Sequence, residues 1–250
     1  MKIVAGAKKY LPHMKELWLE TFPDDTDFVN VFFSEFYKPS KALLLFDGDK
    51  LLSALYWMDV KAKFDRHVYK GAYLYGVATR KSERGAGHFT RLHDMFLKNL
   101  TDKKYSFVCA IPENDKLFAF YKKFGYTSFF RTCEYSMPFC DLEEISPDTA
   151  FDRKFNAYKS SRHGFKFMES RNMFLKSCEN HRFLGFENGY FAFFEKDGRY
   201  CLYDVCDPEN VAPKTTLLHY ERSAVLLDIS CNFDADFSER EKPALNFLLN

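Results

Sequence analysis

A run of small residues, Arg84-Gly85-Ala86-Gly87, lies between a predicted strand and a predicted helix, and it limits what this 250-residue chain can fold into more than any other feature. A strand, a glycine-rich loop and a helix in succession form an anion-binding arrangement, because the first amide groups of the helix are free and its dipole is positive there. Small residues also let a phosphate approach the backbone. The alternative is an ordinary loop that needs glycines for its turn.

Two familiar phosphate motifs do not fit this loop. The P-loop requires GxxxxGK[ST], and no lysine and hydroxyl pair follows Gly87. A dinucleotide-binding fingerprint requires GxGxxG, and its last glycine is missing from residues 85–90. What remains is an arginine followed by a short glycine-containing turn.

The segments around the loop alternate between helical and strand patterns. The predicted helices cover residues 10–20, 26–37, 89–100 and 114–124. The predicted strands cover residues 42–46, 51–60, 69–79, 106–110 and 126–137. This order predicts a mixed α/β domain over residues 1–140.

A second, smaller α+β domain is predicted over residues 141–250. Residues 140–152 contain acidic and proline residues and few large apolar ones, which is typical of a linker. Strand patterns follow at residues 183–186, 189–195 and 199–205. Six aromatic residues of this part either line a pocket or pack a core: Phe165, Phe167, Phe183, Phe186, Tyr190 and Phe193.

Two segments of the first domain resemble the GNAT superfamily of N-acetyltransferases. Residues 77–87 are similar to its acetyl-CoA signature, a strand and about four variable residues before R/Q-x-x-G-x-G/A. Arg84 and Gly87 match that pattern, and Phe89 stands where Gly or Ala is usual. Residues 114–126 are similar to the second family segment, N-x₆-Y-x-K-x-G-[FY].

The resemblance implies a mainly antiparallel central sheet flanked by helices, and acetyl-CoA as co-substrate. It implies that the backbone from Arg84 through Phe89 cradles the pyrophosphate, and that an N–H group near Val77 to Thr79 polarises the thioester carbonyl. The cofactor-binding residues that it implies are Val77, Ala78, Thr79, Arg84, Gly85, Ala86, Gly87, His88, Phe89 and Asn114.

Tyr121 occupies the position of the family's general acid, and the resemblance implies that it protonates the leaving thiolate. A tyrosine with an ordinary pKa of about 10 is protonated at neutral pH and can donate. The alternative is a core aromatic residue on its helix. Asn114 either contacts the cofactor or caps that helix.

The general base is not assigned by the sequence. Asp59, Asp65, His67 and Glu134 are candidates near strand ends, and each is also typical of a solvated surface. In proteins that resemble the enhanced-intracellular-survival acetyltransferases the chain's own terminal carboxylate is the base, which here belongs to Asn250. We expect two histidines on the helix after the loop, His88 and His93, to lie on the surface.

Residues 141–250 are also faintly similar, in layout, to the degenerate second half of two-part GNAT members. Such a half covers one side of the first sheet and walls the acceptor pocket. The predicted activity is transfer of an acyl group to a primary amine of a small molecule or peptide. A non-catalytic acyl-CoA-binding module that acts as sensor or scaffold is the alternative.

Bulk properties exclude several other classes. A formal net charge of +1 gives no global field for binding nucleic acid or an anionic membrane, and no run of about 18 apolar residues spans a bilayer. The seven cysteines are scattered without a CxxC pair or zinc-like His spacing, so we expect reduced thiols, no metal and a cytoplasmic protein. Residues 1–6 lack the apolar core of a signal peptide. The acceptor and the oligomeric state stay open.

Overall fold

The computed structural model describes residues 1–64, 67–136, 142–160, 166–168, 170–196, 199–206 and 218–228. The chain divides into two compact units. The first unit contains residues 1–60, 70–110 and 227–228 of the described chain. The second contains the remaining described residues, mostly between 111 and 226.

The first unit is a sheet of five strands with three helices. The strands are β1 (Lys2–Ala5), β2 (Ala42–Asp47), β3 (Lys50–Phe64), β4 (His67–Thr79) and β5 (Phe107–Ala110). Residues 61–64 of β3 and 67–69 of β4 are assigned to the second unit. The helices are α1 (Leu11–Thr21), α2 (Thr26–Val31) and α3 (His88–Asp102).

The strand order is β1-β2-β3-β4-β5. The pairs β1–β2 and β2–β3 are antiparallel, and β4–β5 is parallel. This confirms the predicted mixed, mainly antiparallel sheet with flanking helices. Strand β1 was not predicted, because its four residues carry only Ile3 and Val4 as large apolar side chains and are too short to show a period.

The helices of the first unit bury the faces that their periodicity predicts. Helix α1 buries Met14, Leu17 and Trp18, and α3 fully buries Leu92, Phe96 and Leu100. The prediction of one helix over residues 26–37 is confirmed only in part. Helix α2 is followed by a π-helical turn over Phe32–Phe36, which turns Phe32 and Phe33 into the core.

The second unit contains three helices, α4 (Asp115–Lys122), α5 (Pro147–Ser160) and α6 (Arg171–Ser177). Its strands are β6 (Thr127–Ser136), β7 (Glu143–Ile145), β8 (Lys166–Met168), β9 (Arg182–Phe186), β10 (Gly189–Lys196), β11 (Arg199–Cys206) and β12 (Leu218–Asp228). The order β12-β6-β11-β10-β9-β7 is antiparallel at each of its pairs. Strand β8 pairs antiparallel with residues 61–63 of β3, which are assigned to the same unit.

Part of the predicted linker is wrong, because residues 143–145 form strand β7 and residues 147–152 belong to helix α5. Helix α5 buries Ala150, Phe151 and Ala157 at helical spacing. The Ser146 hydroxyl accepts a hydrogen bond from the Thr149 amide at 3.1 Å and so caps the helix. The described acidic residues of this segment, Glu143, Glu144, Asp148 and Asp152, are exposed. The boundary at residue 140 stays a prediction.

The core of the second unit is aromatic. The Phe174, Phe183 and Tyr190 rings form mutual contacts, with centroids 5.6–6.4 Å apart. Phe183, Phe186, Tyr190 and Phe193 are all buried, as the core alternative predicts. The side chains of Phe165 and Phe167 lie outside the described residues.

Candidate functional site

The loop between β4 and α3 has left-handed backbone at both of its glycines. Gly85 has φ +85° and Gly87 has φ +75°, values that side chains with a Cβ rarely adopt. A Cβ built on either glycine meets no heavy atom within 4 Å. The glycines are therefore required by the backbone and not by packing, and the space beside them is open.

Helix α3 begins at this open space without a side-chain cap. Gly87 is its N-cap, and the first turn carries no acidic residue. Because Gly87 has no side-chain oxygen, it caps none of the amide groups of residues 88–90. The helix is 15 residues long, so its N-terminus presents both free amides and a positive dipole end to an anion.

The end of strand β4, just before the loop, is fixed by two side chains. The buried Ser53 hydroxyl on β3 donates to the Ala78 carbonyl and lies 2.8 Å from the Thr79 hydroxyl. The exposed Arg84 donates from Nε to the Thr79 carbonyl at 3.3 Å. The strand end and the start of the loop therefore have a defined geometry.

A glycine in the left-handed region lies within β4 just before this end. Gly76 has φ +59°, and a Cβ on it would lie 2.5 Å from Cζ3 of Trp18. Such a residue inside a strand bends it locally. Strand β4 pairs with β5 from Gly71 to Tyr73 and then continues past Gly76 to Thr79.

Arg80 connects the start of the loop to α1 and β3. Its guanidinium donates to the Leu51 carbonyl at 2.6 Å and to Glu16 and Glu20, each at 2.7 Å. Glu20 also accepts the amide of Lys81 at 2.8 Å, and this bond together with the Arg80 charge lowers the pKa of Glu20. The loop is therefore held before any ligand binds.

A second set of contacts holds the middle of the loop. The Lys50 ammonium lies 2.9 Å from Glu83, which lowers the pKa of Glu83. The other Glu83 oxygen lies 3.5 Å from Nε2 of His88. His88 is thus positioned between the loop and the interior of the unit.

The prediction that His88 and His93 lie on the surface is wrong. They are 4% and 2% exposed, because both lie on the same helical face as Leu92 and Phe96. The His93 ring packs on Phe89 at 5.2 Å, and burial lowers the pKa of His93 to about 4.

Phe89, the residue that departs from the family pattern, points into the same interior. It is 8% exposed, and no atom of it comes within 4 Å of a Cβ built on Gly87. Its bulk therefore leaves the open space beside the glycines unfilled.

Asn114 and Tyr121 lie at the two ends of α4, in the second unit. The Asn114 side chain accepts the Leu117 amide at 3.2 Å and caps the helix, as one alternative predicts. Tyr121 is 7% exposed, and burial raises the pKa of its hydroxyl, so it is protonated at neutral pH. Its ring contacts Tyr126 at 5.2 Å. The cofactor and acid roles of the two residues stay predictions.

Two of the candidate bases, Asp59 and His67, have described side chains. Asp59 accepts hydrogen bonds from Lys41, at 2.6 Å, and from Tyr105. Burial raises its pKa, but these bonds outweigh burial and lower it overall. His67 is exposed at the start of β4. Asp65, the side chain of Glu134 and Asn250 lie outside the described residues.

Membrane-spanning helices and metal sites are two other kinds of feature that the described chain could contain. Its helices include none that is long and apolar enough to cross a membrane. Among the same residues, no group of three or more His, Cys, Asp or Glu side chains is arranged to hold a metal ion.

A family model described as the acetyltransferase (GNAT) domain matches residues 3–129. No curated protein matches the sequence significantly.

Several solved structures share the fold. A GCN5-related N-acetyltransferase from Anabaena variabilis has a TM-score of 0.73 at 11% identity, over 91% of this chain and 72% of that one. One from Kribbella flavida has a TM-score of 0.69 at 13% identity, over 92% and 72%. Eis1 from Mycobacterium abscessus has a TM-score of 0.68 at 10% identity, over 92% and 74%. At these identities the likeness shows the fold alone.

Proposed function

The chain belongs to the GNAT family of acetyltransferases, and from that premise we propose that it transfers an acetyl group from acetyl-CoA to a primary amine of a small molecule or peptide. The observation that carries the proposal is the uncapped start of α3 beside two left-handed glycines with open space next to them. A diphosphate is the group of acetyl-CoA that this arrangement fits.

The donor's diphosphate binds the amides that begin α3. Residues 84–89 supply the backbone, with the exposed Arg84 at the start of the loop. The bonds of Arg80 and Glu83 described above support this role, because a loop fixed in advance loses less conformational entropy when its ligand binds.

The thioester of the donor lies along the end of β4. An N–H group near Val77 to Thr79 donates to the thioester carbonyl and stabilises the negative charge that develops on its oxygen. Ser53 supports this step, since its hydrogen bonds to Ala78 and Thr79 hold the backbone in a fixed orientation.

The chemical step is direct transfer. The neutral amine attacks the thioester carbon and the carbon–sulfur bond breaks. The new amide nitrogen releases one proton to solvent, and the thiolate takes up one proton. Tyr121 is the proposed donor of that proton, and the raised pKa of its buried hydroxyl keeps it in the donating form. The smaller second part of the chain, proposed as residues 141–250, is a degenerate GNAT-like half. The proposed location of the protein is the cytoplasm.

An assay of CoA thiol release tests this function. Purified protein is mixed with acetyl-CoA and a panel of aliphatic amines, polyamines and lysine peptides, and acetylated products are identified by mass spectrometry. We expect release that depends on one class of amine and a product heavier by one acetyl group. CoA binding without amine-dependent release would instead support a non-catalytic acyl-CoA sensor or scaffold.

A further inference from the structure

His88 is the first residue of helix α3, and its imidazole ring is buried beside the loop proposed to bind the diphosphate. The residue is 4% exposed. Among the described residues, neither Nδ1 nor Nε2 of this ring has a hydrogen-bond partner. A buried polar group without a partner is unfavourable, so its position calls for a physical explanation. A second state of the site, in which the ring gains a partner, provides one.

The carboxylate of Glu83 lies at the outer limit of hydrogen-bond distance from the His88 ring. Its Oε2 atom is 3.5 Å from Nε2 of His88, and its Oε1 atom is 2.9 Å from Nζ of Lys50. The bond from Lys50 is the main cause of the lowered pKa of Glu83, and the His88 ring contributes to it. Glu83 is therefore negatively charged at neutral pH. A protonated imidazole donates from both nitrogens, so Glu83 is a charged acceptor placed next to it.

The charge balance at His88 depends on whether an anion occupies the start of α3. Without an anion, the positive end of the helix dipole disfavours a proton on a histidine at the first helical position. A bound diphosphate places negative charge at the same helix end and favours the protonated ring. Because the ring is shielded from water, this attraction is weakened less than it is between fully exposed charges.

Other charged residues lie on the elements that adjoin His88. They belong to the loop, to the nearby ends of β2 and β3 and to the next turn of α3: Asp47, Lys50, Arg80, Lys81, Arg84 and Arg91. The Lys50 ammonium is paired with Glu83, and the Arg80 guanidinium is paired with two glutamates of α1. In the part of the chain that the structure describes, Glu83 is the carboxylate with an oxygen within 4.0 Å of a His88 nitrogen. Glu83 is therefore the acidic group that gains directly from a proton on His88.

We propose that His88 takes up a proton when the diphosphate of CoA binds, so that donor binding is coupled to pH. This inference rests on the proposed binding of the donor at the start of α3. In the bound state the imidazolium donates to Glu83 and is attracted to the diphosphate. Histidine is the side chain whose charge ordinarily changes between about pH 5 and pH 8. Because the bound state holds one proton more than the free state, CoA affinity rises as pH falls.

NMR of the wild-type protein measures the proton directly. The Cε1–H signal of His88, assigned by through-bond correlation, is followed from pH 5.5 to pH 8.5 with and without saturating CoA. We expect its titration midpoint to lie about 0.5–1 pH unit higher with CoA bound, which is a three- to tenfold change in proton affinity. The signal of the exposed His67 is the internal control and keeps its midpoint. A His88 midpoint that CoA does not move would overturn the inference.

Calorimetric titration of CoA at pH 8 and pH 6 measures the coupling from the side of the ligand. The phosphates of CoA also titrate, so the informative quantity is the difference between proteins. The affinity of the wild type and of His67→Gln is expected to rise about three- to tenfold more, from pH 8 to pH 6, than that of His88→Gln. An equal rise in all three proteins would refute the coupling.

A second pair of variants leaves the His88 ring in place. Glu83→Gln removes the charge that accepts from the imidazolium, and Asp49→Asn makes the same change of charge at an exposed position of the neighbouring turn. We expect the pH-dependent gain in CoA affinity to be smaller in Glu83→Gln and unchanged in Asp49→Asn. Equal gains in these two variants would show that Glu83 is not the partner of a protonated His88.

The results separate this inference from the proposed function. A protein that acetylates an amine, but whose CoA affinity has the same pH dependence with and without the His88 imidazole, would contradict the inference alone. A protein in which CoA binding protonates His88, but which acetylates no amine of the panel, would contradict the proposed acetyl transfer and leave the coupling standing.

Discussion

The Oε2 atom of Glu20 lies 2.7 Å from Nη1 of Arg80, so helix α1 is ion-paired to the residue that follows strand β4. Arg80 is only 12% exposed, and its other donors reach Glu16 and the Leu51 carbonyl. The same Glu20 accepts the Lys81 amide. This pair therefore fixes the start of the proposed phosphate-binding loop relative to the rest of its unit.

Replacing Arg80 is expected to loosen that loop. Arg80→Gln loses the ion pairs and leaves the Leu51 carbonyl with a weaker partner, so we expect the free energy of unfolding to fall by about 1–3 kcal/mol. CoA affinity falls as well, because the loop is no longer ordered before binding. Urea denaturation and CoA titration measure the two effects. Arg91→Gln, on the exposed side of α3, is the matched control. Equal unfolding free energies and equal CoA affinities in the two variants would contradict the role given to Arg80.

Tyr121→Phe tests the proposed acid. The ring contacts with Phe120 and Tyr126 stay, so the fold and CoA affinity are expected to change little. Loss of the proton donor lowers kcat by about 100- to 10,000-fold, the usual contribution of general acid catalysis. Tyr126→Phe removes a neighbouring buried hydroxyl and serves as control in steady-state assays. A wild-type kcat in Tyr121→Phe would show that this hydroxyl does not protonate the thiolate.

Stability is expected to fall on acidification because of His93. Its folded-state pKa is about 4, below the ordinary value of 6.5, so between these values the unfolded chain binds a proton that the folded chain does not. The contribution of the neutral His93 ring to the free energy of unfolding is fully present above pH 6.5 and is lost as pH falls towards 4. The slope of this loss is up to about 1.4 kcal/mol per pH unit.

Denaturation curves at several pH values measure this slope. His93→Leu is expected to flatten it, and His67→Gln, at an exposed position, is expected to leave it unchanged. Burial also lowers the pKa of His181 to about 4, so His93→Leu removes only part of the acid sensitivity. If the slope were unchanged in His93→Leu, the acid sensitivity would not come from His93.

The sequence predicted the elements whose signals are local. The apolar periodicity of α1 and α3 and the glycines of the loop each depend on residues within a few positions of one another. Gly125 with φ +83° ends the last turn after α4. The resemblance to GNAT proteins predicted a mainly antiparallel sheet. Apolar periodicity alone does not show whether strands pair parallel or antiparallel.

The features that the sequence did not reveal depend on contacts between distant residues. Arg80 and Glu20 are separated by 60 positions, and neither belongs to a motif. Polarity suggested that His88 and His93 are exposed, although their spacing from Leu92 and Phe96 already placed them on the buried face. For helix α5, the Ser-Pro-Asp-Thr segment from Ser146 is a helix-start signal that outweighs the linker-like composition.

Calorimetric titration of CoA against Gly87→Ala and Gly48→Ala tests the central claim most directly. Gly87 and Gly48 have positive φ, and a Cβ on either meets no heavy atom within 4 Å, so both variants carry a similar strain of about 1–2 kcal/mol. Only the Cβ at residue 87 enters the space proposed for the diphosphate. We predict that the wild type and Gly48→Ala bind CoA alike and that Gly87→Ala binds at least about tenfold more weakly. Equal affinities in all three proteins, or no heat of CoA binding in the wild type, would contradict the account.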